Sequence, residues 1–136
     1  MYRLITIFLL KALLILPAVA QTVPEELADA FGKGDASRIA EFFHQSLEMT
    51  ILDQEYETSK TQATRILESF FKKHVPTGFK VSFEGTKEQS KYAIGNLTTK
   101  DGAFRVNIFF MNKDGARLIY YLSIEKESQY ELLPRS

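Results

Sequence analysis

Residues 90–125, SKYAIGNLTTKDGAFRVNIFFMNKDGARLIYYLSIE, decide the fold. Apolar side chains recur at every second position through three runs, about 91–99, 103–112 and 116–125. Lys100-Asp101-Gly102 and Asp114-Gly115 separate them, and Asp-Gly between alternating runs is a strong hairpin signal. A fourth alternating run, Phe79, Val81 and Phe83 against Lys80, Ser82 and Glu84, precedes them. The second half of the chain therefore reads as an antiparallel meander.

Upstream the period changes to that of helices. Pro24 suits a first helical position, and Glu25 and Glu26 face the positive end of the helix dipole. Leu27, Ala30 and Phe31 form one apolar face, with Gly32 and Gly34 as the stop. Asp35 caps a second predicted helix with Ile39, Phe42, Phe43 and Leu47 at helical spacing. Strict alternation over Leu47–Ile51 marks a short strand, Asp53-Gln54-Glu55 a turn, and Tyr56-Glu57-Thr58 a strand pairing back. Ser59-Lys60-Thr61-Gln62 has capping-box form. Ala63, Ile66, Leu67, Phe70 and Phe71 then make one continuous helical stripe, which Pro76 prevents from continuing. Helices segregated from an antiparallel sheet give an α+β domain.

The chain has 136 residues, 45% hydrophobic and 25% charged, which suits one globular domain. It has no Cys, which excludes disulfides, thiolate catalysis and Cys-based zinc sites. Residues 1–20 carry Arg3, an apolar run and Ala18-Val19-Ala20, the pattern of a cleaved signal peptide. The alternative is a retained anchor, but the run around Lys11 is shorter than the about 20 residues a span needs. The expected division is a signal peptide over 1–20, a domain over 21–128 and a tail over 129–136, in a periplasmic or secreted protein. Loss of Arg3 and Lys11 with residues 1–20 leaves 15 basic against 17 acidic side chains, a net charge of −2. No basic footprint for nucleic acid or an anionic membrane remains.

The order helix, Gly-Asp turn, helix, short hairpin, helix, meander resembles the nuclear transport factor 2-like fold of the cystatin-like superfamily, in which helices pack into a bent sheet. The likeness extends to motifs from Tyr56 onward: Y-x-x-S-K-x-Q-A, I-L-x-x-F-F, F-K-V-x-x-E-G and K-Y-A-I-G-x-L-T-T-x-x-G-x-x-R-V. On these the chain resembles a small exported Bacteroidetes family of unknown function. The resemblance implies the cone-shaped fold and export, and brings no activity, cofactor or catalytic residue. Superfamily members include isomerases and dehydratases as well as non-catalytic binders, and the sheet is their usual dimer face.

Acid–base chemistry in such a cone needs an inward carboxylate or His. The candidates are Asp53 and His44, with His74 and Glu84 behind them. Each has a plainer reading: Asp53 in a turn, His44 and His74 at helix ends, Glu84 toward solvent. Glu41 and His44 have the spacing of two metal ligands on a helix, but a bundle-type site needs a second such pair. No nucleotide, nucleophile-elbow or zinc-protease motif is present, and no metal or cofactor is expected. Gly95 in mid-strand is expected to allow curvature. In the fifth strand Phe104, Val106, Ile108 and Phe110 should meet the helices, leaving Arg105, Asn107, Phe109 and Met111 on the other face. In the last, Leu118, Tyr120, Leu122 and Ile124 are assigned inward, and Arg117, Ile119, Tyr121 and Ser123 outward. Phe109, Met111, Ile119 and Tyr121 thus form an expected interface, and Tyr56, Tyr92, Phe104 and Tyr120 an expected small apolar pocket. The leading reading is a non-catalytic exported module for a small apolar ligand or a protein partner, with a homodimer through its sheet as one form of the latter. An isomerase or lyase using Asp53 or His44, and a structural accessory of the cell envelope, are the alternatives.

Overall fold

A computed structural model describes residues 22–88 and 90–127. The expected signal peptide and C-terminal tail lie outside these residues. Helices α1 (Glu25–Lys33), α2 (Ala36–Ala40) and α3 (Lys60–Lys73) lie on one side of a six-stranded sheet. Its strands are β1 (Phe43–Ile51), β2 (Gln54–Ser59), β3 (Pro76–Lys87), β4 (Ser90–Thr99), β5 (Gly102–Lys113) and β6 (Ala116–Lys126), in the order β2-β1-β6-β5-β4-β3. All neighbours are antiparallel except β1 and β6. The α+β class and the meander are as the alternation predicts.

Local chemistry sets the helix ends. Gly34 closes α1 in the left-handed conformation, with φ of 66°, as its missing Cβ permits. Asp35 accepts from the Arg38 N–H at the start of α2, and Ser59 accepts from the Gln62 N–H at the start of α3. The α3 stripe buries Ala63, Leu67, Phe70 and Phe71 against the core, with Ile66 half-buried at its edge. From the sheet, Phe104, Val106, Ile108 and Phe110 face it, none more than 2% exposed.

Three expectations are corrected, two of them because a sheet irregularity disturbs the period of two. The second helix stops at Ala40, and Phe43 opens β1 instead. Phe43 pairs with Ile119, and the Phe42 carbonyl accepts from the Ile119 N–H. The β1–β6 register then slips between Phe43 and Glu48, exposing Gln45 and Ser46 in succession. A strand interrupted in this way has the apolar spacing of a helix. The turn after β1 is Leu52-Asp53, so Gln54 and Glu55 already belong to β2.

The second irregularity reverses faces in β6. Phe110 pairs with Ile119, but Phe109 pairs with Tyr121, so Tyr120 is an extra residue. A bulge of this kind breaks the alternation, so the residues before Tyr120 lie on the faces opposite to those that alternation back from Leu122 and Ile124 assigns. Ile119 is consequently an inner residue, 0% exposed, and not part of an outer interface. Leu118 and Tyr120 leave the inner face to which alternation assigned them.

Candidate functional site

The bulge brings an aromatic row together on the face turned away from the helices. Phe109 on β5 lies between Tyr92 on β4 and Tyr121 on β6, its partners in the ladder. The ring centroids are 5.7 and 5.4 Å apart. Tyr120 meets Phe109 edge-on at 6.2 Å, and Phe83 on β3 extends the row beyond Tyr92 at 5.7 Å. Rows of this kind form because residues opposite each other across a sheet stand within reach of large side chains. Phe83 is 51% exposed. A register shift between Val81 and Phe83 moves it off the face shared by Phe79 and Val81.

Beside the row, His44, Met111 and Tyr120 line an open groove of about 640 Å³ with Glu48 and Glu57 at its edge. Glu48 and Glu57 stand directly opposite each other in the β1–β2 ladder. On the same face, Lys80 and Lys87 lie on β3 at the far edge of the sheet. Next along the same face of the β5–β6 ladder, the Asn107 amide donates to Ser123 Oγ at 2.9 Å, which satisfies a serine only 2% exposed.

The predicted pocket residues do not converge. Phe104 is a core residue, 2% exposed. Tyr92 and Tyr120 belong to the outer row. Tyr56 alone lines a pocket on the helix side, about 290 Å³ in volume, between the C-terminal end of α3 and the β1–β2 turn. Of the predicted interface, Phe109, Met111 and Tyr121 share the outer face and Ile119 does not.

The acid–base candidates are likewise apart. Asp53 is exposed in the turn after β1, and His44 lies at the opposite end of that strand, its Nδ1 hydrogen-bonded to the Ser46 backbone. Glu84 accepts from the Val23 N–H at 3.2 Å, holding the segment before α1 to the sheet. Glu41 and His44 do not share a helix. Among the described residues, no group of three or more His, Asp or Glu side chains could hold a metal ion.

His74 has a role that sequence spacing could not show. Its Nδ1 lies 2.8 Å from Asp101 Oδ2, in the β4–β5 turn. The Thr99 hydroxyl, 2.9 Å from Asp101 Oδ1, and then His74 hold the Asp101 carboxyl below the usual carboxylate range. Phe70 and Phe104 pack against the imidazole at 4.8 and 4.9 Å. At α1, Arg38 and then Lys33 lower the Asp29 carboxyl in the same direction.

The fold and motifs have counterparts among known proteins. The model of the family described as a domain of unknown function, DUF4783, matches residues 24–125. A DUF4783 family protein from Bacteroides ovatus is 28% identical, with a TM-score of 0.74 over 79% of this chain and 97% of its own. One from Bacteroides fragilis is 31% identical, with a TM-score of 0.72 over 76% and 98%. A nuclear transport factor 2-like protein of unknown function from Cytophaga hutchinsonii shares the fold at 8% identity, with a TM-score of 0.54 over 79% and 89%. No curated protein matches the chain. The protein belongs to the DUF4783 family, as the motifs from Tyr56 onward suggested, and has the nuclear transport factor 2-like fold.

Proposed function

We propose that the protein is an exported, non-catalytic binding module that meets a protein partner, in the first instance a second copy of itself, through the outer face of its sheet. The observation that carries this reading is the row Phe83, Tyr92, Phe109 and Tyr121, four rings in successive contact across four strands. Apolar area gains about 25 cal/mol per Å² on leaving water, and a continuous aromatic patch is the form such contact surfaces take. The pattern of residues 1–20 supports export. The separation of Asp53 from His44, at the two ends of β1, argues against an enzyme built on that pair.

Native mass spectrometry of the protein purified from its own cells, without refolding, tests the reading. A dimer is expected, returning to monomer when Tyr92 and Tyr121 are both replaced by Ser. A wild-type monomer at high concentration overturns it.

A further inference from the structure

The pocket at Tyr56 is a second place where the molecule can hold something, and its chemistry is one-sided. Ile51, Ile66 and Phe70 supply apolar walls. The polar groups are Lys73 and His74, with hydroxyls and an amide, and no carboxylate is among the described residues that line it. The negative end of a helix dipole repels anions, but Lys72 and Lys73 in the last turn of α3 offset it. The Asp101 carboxylate accepts from Nδ1 of His74, and Phe70 and Phe104, in contact with each other, both pack against the ring. With Nδ1 donating to Asp101 the imidazole is held in place, and the donors left to a ligand at this rim are Lys73 Nζ and the hydroxyls of Tyr56 and Ser69.

We propose that this pocket binds a small amphipathic carboxylate. Its hydrocarbon part lies against Ile51, Ile66 and Phe70, and its carboxylate meets Lys73 Nζ and the hydroxyls of Tyr56 and Ser69 at the rim. An apolar cavity with a few convergent polar groups is the usual form of a small-molecule site. A charge-assisted hydrogen bond from Lys73 supplies the selectivity for an anion. The proposal does not rest on self-association: the pocket lies on the helix side of the sheet, away from the aromatic row.

The test is a titration of the full chain with octanoate, octanol and octylamine, followed by amide and imidazole NMR shifts. Octanoate is expected to give saturable shifts at Ile51, Ile66, Phe70 and His74. Octylamine, which has the same tail and the opposite charge, should bind at least about tenfold more weakly. Lys73→Ala should weaken octanoate by about tenfold while leaving the remaining amide spectrum in place, and Lys73→Arg should restore most of the affinity. Equal binding of octanol and octanoate, saturable shifts confined to Tyr92 and Tyr121, or no saturable shifts with octanoate overturns the proposal.

Discussion

Gly95 lies on the inner side of β4 opposite Val81, and the ring of Phe79 fills the space where a side chain would stand. Phe79 is stacked on Phe31 at 4.9 Å, so its ring has little freedom to withdraw. The glycine therefore serves this close approach, beside the β3 irregularity, more directly than it serves curvature. Gly95→Ala is expected to destabilise the fold by about 1–3 kcal/mol through overpacking, seen as a lower denaturation midpoint at unchanged slope. Asp101 gives a prediction of a different kind. Its carboxyl is held below the ordinary range, chiefly by the Thr99 hydroxyl and then by His74. A folded-state pKa below the unfolded one gives stability that is present above the unfolded value and lost as pH falls through the folded value. Asp101→Asn should therefore lower the melting temperature at neutral pH and leave a flatter acid limb below about pH 4. Thermal unfolding followed from neutral to acid pH checks both.

At the scale of the element, α3 and β5 were legible because nothing interrupts their periods. The Ser59 cap is where the S-x-x-Q pattern puts it, with the Gln62 N–H 3.3 Å from Ser59 Oγ. Ser59→Ala should cost about 1 kcal/mol in chemical denaturation. β1 and β6 were misread because a bulge leaves no mark in composition. Tyr120 is one more aromatic among aromatics, yet its insertion moves Ile119 inward and exchanges the faces around it. The candidate site inherits the same limit. Phe109, Met111 and Tyr121 could be assigned outward from alternation. Phe83 could not, because its bulge is set by pairing with β4, and the His74–Asp101 contact spans 27 positions and exists only once α3 and the β4–β5 turn are docked. The corrected faces make a sharp contrast between near neighbours. Ile119→Ala should cost about 2–5 kcal/mol, as for other fully buried large-to-small changes. Tyr121→Ala, two positions on, should cost far less in unfolding while weakening self-association in sedimentation.

For the whole molecule, charge distribution limits how two copies could meet. The outer face carries Glu48, Glu55 and Glu57 on β1 and β2 at one edge and Lys80 and Lys87 on β3 at the other, with the aromatic row between. Two identical faces can pack with a two-fold axis lying in their common plane. An axis across the strands would set acidic edge on acidic edge. An axis along the strands sets each acidic edge over the partner's lysines, with the aromatic rows stacked at the centre. Glu48 and Glu57 already oppose each other within one sheet, an arrangement that is destabilising for like charges, and a partner's lysine would relieve it. The second axis is therefore the expected one. Glu57→Lys alone should weaken the dimer, as should Lys80→Glu alone, each by the about 0.2–1 kcal/mol typical of exposed pairs. Their combination should recover much of the loss, because each reversed charge meets the other across the interface. Added salt should shrink all of these differences, since exposed charges are screened over about 10 Å at moderate ionic strength. Sedimentation equilibrium of the four proteins at low and high salt measures this directly. Losses that simply add in the double variant would show that the two edges do not face each other, and single variants that strengthen the dimer would point to an axis across the strands, which sets like edge on like edge.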